Sequence, residues 1–141
     1  MSRVPAPAAA PGAVRVAPAG RRWALALEGV TVVGAVAGVQ GFLSGQFGPL
    51  VDQLTFVDGP AVPALALGIC VGLPQATALV LGLRRHPRAA LASLGAGLLL
   101  TGWVLAQLPL IGWGSPVQWA FFAVGLGESA AAARWWSTTR G

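Results

Sequence analysis

The chain has 141 residues, about one domain's worth, of which 55% are hydrophobic and only 9% charged. Soluble domains carry roughly 25% charged residues, so this composition excludes a purely water-solvated globule. The net charge of +5 would point a soluble protein toward nucleic acid. Here every basic residue is an arginine flanking an apolar stretch, so no nucleic-acid partner is expected, and anionic lipid headgroups take that place.

A single cysteine, Cys70, excludes an intramolecular disulfide or a thiolate metal cluster. The one histidine, His86, lies among arginines with no base or ligand beside it. No catalytic residue, metal site or cofactor is therefore expected, and the chain does not read as an enzyme. Lys, Asn and Tyr, whose codons are AT-rich, are absent. That absence points to a GC-rich bacterial genome and so to a bacterial inner membrane.

Residues 1–20 are rich in Pro and Ala without apolar periodicity, as expected of a disordered cytoplasmic tail. Ala35-Val36-Ala37 has the form of a signal-cleavage site. A leader ending there would be unusually long and interrupted by Glu28, so the segment reads as a retained first span. Four apolar segments follow, at 23–43, 61–83, 89–108 and 117–136. Each approaches the ~20 residues a helix needs to cross ~30 Å of hydrocarbon. Helices are required because lone strands leave backbone groups unmet in lipid. The predicted fold is all-α: a four-transmembrane-helix bundle over residues 21–136, with a short cytoplasmic tail at 137–141.

Arginines precede the first span, separate the second from the third and follow the fourth, while the other two connections have none. Basic residues stay in cytoplasmic loops, so both termini are expected in the cytoplasm. In the first exported connection Leu50, Val51, Leu54 and Val57 share one helical face, and Pro49 suits a first turn. Either a short interfacial helix stopped by Gly59-Pro60 or an irregular loop with scattered apolar residues is expected there. The RRHPR sequence at 84–88 is a tight turn, making the second and third spans an antiparallel hairpin.

Pro74 within the second span should bend it and free the carbonyl of Cys70, with Gln75 and Thr77 at hand to rescue that acceptor. Cys70 is expected to pack as a small buried apolar residue. Small residues at four-residue spacing mark candidate helix contacts: Gly34 and Gly38, Gly68 and Gly72, Ser93 and Gly97, and Gly127 after Ala123. Close approach through such stripes supplies much of helix association in lipid.

Glu28 and Glu128 are the only acids within the spans. Counted from Trp23 and Arg134, they lie about 7 and 9 Å in from the cytoplasmic side, at matched depths that would let them meet. They form the candidate intramembrane polar site. The favoured reading is ion pairing, of Glu28 with Arg21 or Arg22 and of Glu128 with Arg84, Arg85, Arg88 or Arg134. The alternative is a proton or cation site. Trp23, Trp135 and Trp136 mark one membrane boundary and Trp113 and Trp119 the other.

The stretch from Trp103 to Gly112, WVLAQLPLIG, continuing through Ser115-Pro116-Val117-Gln118, resembles a recurrent pattern in small four-span bacterial membrane proteins. The resemblance covers the second to fourth spans. It implies an integral inner-membrane protein and carries no functional residue with it. Gln107 and Gln118 flank the second exported turn, where their amides could bond each other or close the backbone. The function expected is a non-enzymatic accessory or scaffold subunit, as a homo-oligomer or within a larger membrane complex. A small proton- or cation-coupled transporter using Glu28 and/or Glu128 is the alternative.

Overall fold

A computed structural model describes residues 17–140, and every regular element among them is helical. Helix α1 spans Ala19–Leu43 and one-turn α2 spans Gly48–Val51. Helix α3 (Ala61–Leu67), a wide π turn (Gly68–Gly72) and α4 (Leu73–Leu83) join into one rod. Helix α5 spans Ala89–Ile111 and α6 spans Pro116–Arg140. Three helices are long and apolar enough to cross a membrane: α1, the α3–α4 rod and α5. The fourth, α6, matches them in length, but Gln118, Glu128, Arg134 and the polar run Ser137–Arg140 dilute its apolar character.

Several boundaries differ from the sequence expectation. Helix α1 starts at Ala19, since Arg21 and Arg22 are good helix formers and the Arg22 amide reaches the Pro18 carbonyl at 3.3 Å. Positions 19 and 20 of the expected tail are therefore helical, while residues 1–16 lie outside the described residues. Helix α5 passes through Pro109 and stops at Gly112, whose φ of +82° suits glycine alone. The expected C-terminal tail is a continuation of α6 as far as Arg140, with Gly141 outside the described residues. There the hydroxyls of Ser137, Thr138 and Thr139 donate to carbonyls three residues back, and the Arg140 guanidinium lies 4.2 Å from the Trp136 ring centre.

The expected interfacial helix shrinks to the single turn α2, begun by Pro49 as anticipated; Leu54 and Val57 lie in turns beyond it. The 84–88 segment closes tightly. Arg85 takes a left-handed φ of 55°, the His86 amide bonds the Leu81 carbonyl, and the Arg85 amide bonds that of Gly82. This is the pair of hydrogen bonds that ends a helix when the following residue turns left-handed. Ahead of Pro74 the rod widens to a π turn, in which the Leu73 amide donates to Gly68 five residues back. The wider turn absorbs the clash that a proline makes with the carbonyl four residues before it.

The four long rods form a closed ring in which α1 touches α6 and the α3–α4 rod, and α5 touches the same two. Large side chains point outward: Val33 is 70% exposed, Ile69 60% and Leu98 58%. Small residues fill the inside, among them Ala24, Ala35, Ala78, Ala90 and Ala132. Water-soluble folds bury their large side chains; this inverted arrangement suits a lipid surround, in which small residues draw helices together.

The glycine stripes take unequal parts in this contact. A Cβ on Gly97 would lie 2.9 Å from the Ser129 amide and 3.0 Å from the Gly125 carbonyl, so α5 and α6 meet backbone to backbone. On Gly34 and Gly38 it would meet the tips of Phe121 and Leu67. Gly68, Gly72 and Gly127 have only ordinary contacts, with Val39, Ala35 and Leu27. Cys70 is exposed on the outer face rather than buried.

Candidate functional site: a buried carboxyl layer

Along α1, residues 24, 28, 31 and 35 face inward; along the α3–α4 rod 71, 75, 78 and 82 do so; along α6 118, 125, 128, 132 and 135. Steps of three and four keep these side chains on one helical face. The polar members converge at one level. Glu28, Gln75, Ser93 and Glu128, one from each rod, are all fully buried.

Gln75 Nε2 donates to Glu128 Oε2 at 2.9 Å. Glu28 lies within Coulombic range of Glu128 and beside the Ser93 hydroxyl. That hydroxyl and the carboxylate nevertheless fall short of hydrogen-bond geometry, so Ser93 Oγ and both Glu28 oxygens remain without a partner. Glu128 Oε1 and Gln75 Oε1 are also unmet. One layer therefore holds five buried oxygen atoms with nothing bonded to them. Thr31, a turn along from Glu28, satisfies itself by donating to the Leu27 carbonyl at 2.9 Å.

The expected ion pairs are absent. Among the described residues no arginine reaches either carboxyl group: Glu128 has only the Gln75 amide and Glu28 has no hydrogen bond. Arg21 turns its guanidinium to the Gly82 carbonyl at 3.1 Å, tying the start of α1 to the end of α4. The reason is rotation about the helix axis. Both acids lie on the inward faces of their helices, and both helices run further than expected. Glu28 is nine positions from Ala19 and Glu128 twelve from Arg140, about 14 and 18 Å along their axes.

Apolar clusters seal the layer above and below. Toward the arginine-rich end lie Ala24, Ala89, Ala90, Ala131 and Trp135. Toward the other end lie Ala35, Val71 and Leu100, backed by Phe121 and Val124.

Neither Gln75 nor Thr77 bonds the Cys70 carbonyl as expected: Gln75 binds the acid, and Thr77 bonds the Leu73 carbonyl at 2.8 Å. The signal for Gln75 was its place on the same stripe as Val71, Ala78 and Gly82. Gln107 and Gln118 do not bond each other. Gln118 is buried with both amide atoms unmet, and the turn is closed instead by the Trp119 indole N–H on the Trp113 carbonyl at 3.0 Å. His86 Nδ1 accepts the Arg88 amide at 3.2 Å, as a turn residue would. No group of three or more His, Cys, Asp or Glu gathers in metal-binding fashion among the described residues. No protein family, curated protein or solved structure matches the chain.

Proposed function

We propose that this chain is a four-span bacterial inner-membrane protein, with both ends in the cytoplasm, that carries a small hard cation or a proton through its buried carboxyl layer. One observation supports this above the rest: two acids from opposite ends of the chain share a buried layer of unmet oxygens, with no arginine among the described residues bonded to them. Unmet oxygens suit alkali and alkaline-earth cations, and intramembrane acids are expensive unless function retains them. Apolar seals on both sides give such a site the occluded form that alternating access requires. The orientation rests on seven arginines gathered at one end of the bundle among the described residues. The accessory-subunit reading ranks second, because support of a partner gives no reason to keep five unmet oxygens.

The test is reconstitution into vesicles that hold a pH-sensitive dye, with an imposed sodium or potassium gradient. Cation-driven proton movement is expected from the native protein and not from Glu28→Gln or Glu128→Gln. Flux no greater than that of empty vesicles, or flux indifferent to both substitutions, would overturn the proposal and return the accessory role to first place.

A further inference from the structure

Beyond the Leu100 seal, away from the carboxyl layer, a cavity of about 360 Å³ opens between α1, α5 and α6. Its walls are apolar, with Leu67, Val104, Trp103 and Phe121 prominent, and no charged residue contributes to them. Three glutamines, Gln46, Gln107 and Gln118, break that character, and only the last is both buried and unbonded. Gln118 faces this cavity, is 7% exposed, and neither its amide nitrogen nor its amide oxygen has a partner. A buried primary amide with donor and acceptor both unmet is unstable unless something bonds it. Gln107 borders the same space and leaves Gln118 unsatisfied.

We infer that this cavity is a binding site for a single-chain, uncharged lipophile whose head both donates and accepts a hydrogen bond: a long-chain alcohol or a protonated fatty acid. The uncharged lining excludes a phosphate head, which needs cationic partners. The volume lies at the lower end of ligand pockets, so it suits one chain rather than the two of a phospholipid. Such a head matches Gln118 on both sides, donating to Oε1 and accepting from Nε2. The tail then lies against Trp103 and Phe121.

This site is independent of the carboxyl layer, and either can fail without the other. Its test uses the full chain in phosphatidylcholine nanodiscs, with the tryptophan quenchers dibromostearyl alcohol, dibromostearic acid and methyl dibromostearate. The alcohol and the acid, at pH low enough to protonate it, should quench Trp103 saturably. The methyl ester, which only accepts, should bind about tenfold more weakly, as the loss of one bond to a buried group predicts. Trp103→Phe identifies the quenched fraction. Gln118→Met loses no existing bond and keeps side-chain volume, so it should fold while removing the preference for alcohol over ester. Non-saturable quenching that tracks lipid mole fraction would overturn the inference, as would equal binding of alcohol and ester to the native protein. The second comparison needs no variant. A preference that survives Gln118→Met would overturn it as well.

Discussion

Substituting alanine at Gly97 tests whether backbone contact holds α5 to α6. The added methyl would lie 2.6 Å from Ser129 Oγ, 2.9 Å from the Ser129 amide nitrogen and 3.0 Å from the Gly125 carbonyl oxygen. The hydroxyl is held by its 2.8 Å bond to that same carbonyl, and backbone atoms cannot rotate away. Reaching an ordinary 3.4 Å contact means parting the helices by about 0.5 Å to clear the amide at 2.9 Å, and by about 0.8 Å to clear the held hydroxyl at 2.6 Å. Forced overpacking of this kind costs roughly 1–3 kcal/mol. Gly125→Ala meets the mirror-image obstacle, Thr101 Oγ1 at 2.6 Å and the Thr101 amide at 3.0 Å. One displacement relieves both, so the double variant should lose less than the two losses added. Gly102→Ala is the control: it has nothing within 4 Å and should gain up to about 1 kcal/mol from helix propensity. Unfolding by sodium dodecyl sulfate in mixed micelles, followed by tryptophan fluorescence, measures all four proteins. A Gly97→Ala protein as stable as the native one, or a Gly102→Ala protein destabilised to the same degree, would refute the contact.

Three further outcomes are expected in the same unfolding assay. Gln75→Leu removes the one hydrogen bond Glu128 makes and should lower stability by about 1–3 kcal/mol. Glu28→Leu removes two oxygens that bond nothing, so stability should hold or rise by up to about 4 kcal/mol, while cation-driven flux in vesicles disappears. A destabilised Glu28→Leu protein would mean that the carboxyl group is structural. Arg85→Gly relieves a left-handed backbone position and should add up to about 1 kcal/mol; an unchanged or lower midpoint would show that the arginine side chain compensates for its strain.

The helical segments were legible because lipid demands long apolar helices and little else: 61–83 matches in both its limits, and 89 is a shared start. Helix ends were less legible. The extension to Ala19 depends on Arg21 and Arg22 as helix formers, and that to Arg140 on hydroxyl back-bonding and an arginine lying over Trp136; apolar periodicity registers neither. The same insensitivity misplaced the acids. Glu28 and the arginines before it look adjacent in sequence, and only the rotation of α1 decides whether the carboxyl group faces headgroups or core. That rotation was readable in principle from Ala24, Glu28, Thr31 and Ala35, a small-and-polar stripe opposite the outward Val30 and Val33. Gln118 could not have been read this way, since an amide beside a turn looks the same whether it caps the backbone or points into a cavity.

The interior assigns different tasks to its small and its polar residues. In lipid, burying apolar surface gains little, so close backbone contact such as Gly97 against Gly125 must hold the helices. Hydrogen bonds can assist, but only when both partners are present. Thr31, Thr101 and Ser129 meet that condition, each hydroxyl returning to a carbonyl four residues back in its own helix. The layer of Glu28, Gln75, Ser93 and Glu128 does not: it makes one bond between its members and leaves five oxygens unmet. A layer built for adhesion would be better served by alanine or leucine, which the neighbouring layers hold in Ala24, Ala35 and Leu100. Two acids where apolar residues would hold the bundle better are what the proposed cation or proton site calls for. On that proposal the apolar clusters on either side would serve as gates, and Leu100, the largest fully buried side chain, stands where an outward opening would have to begin.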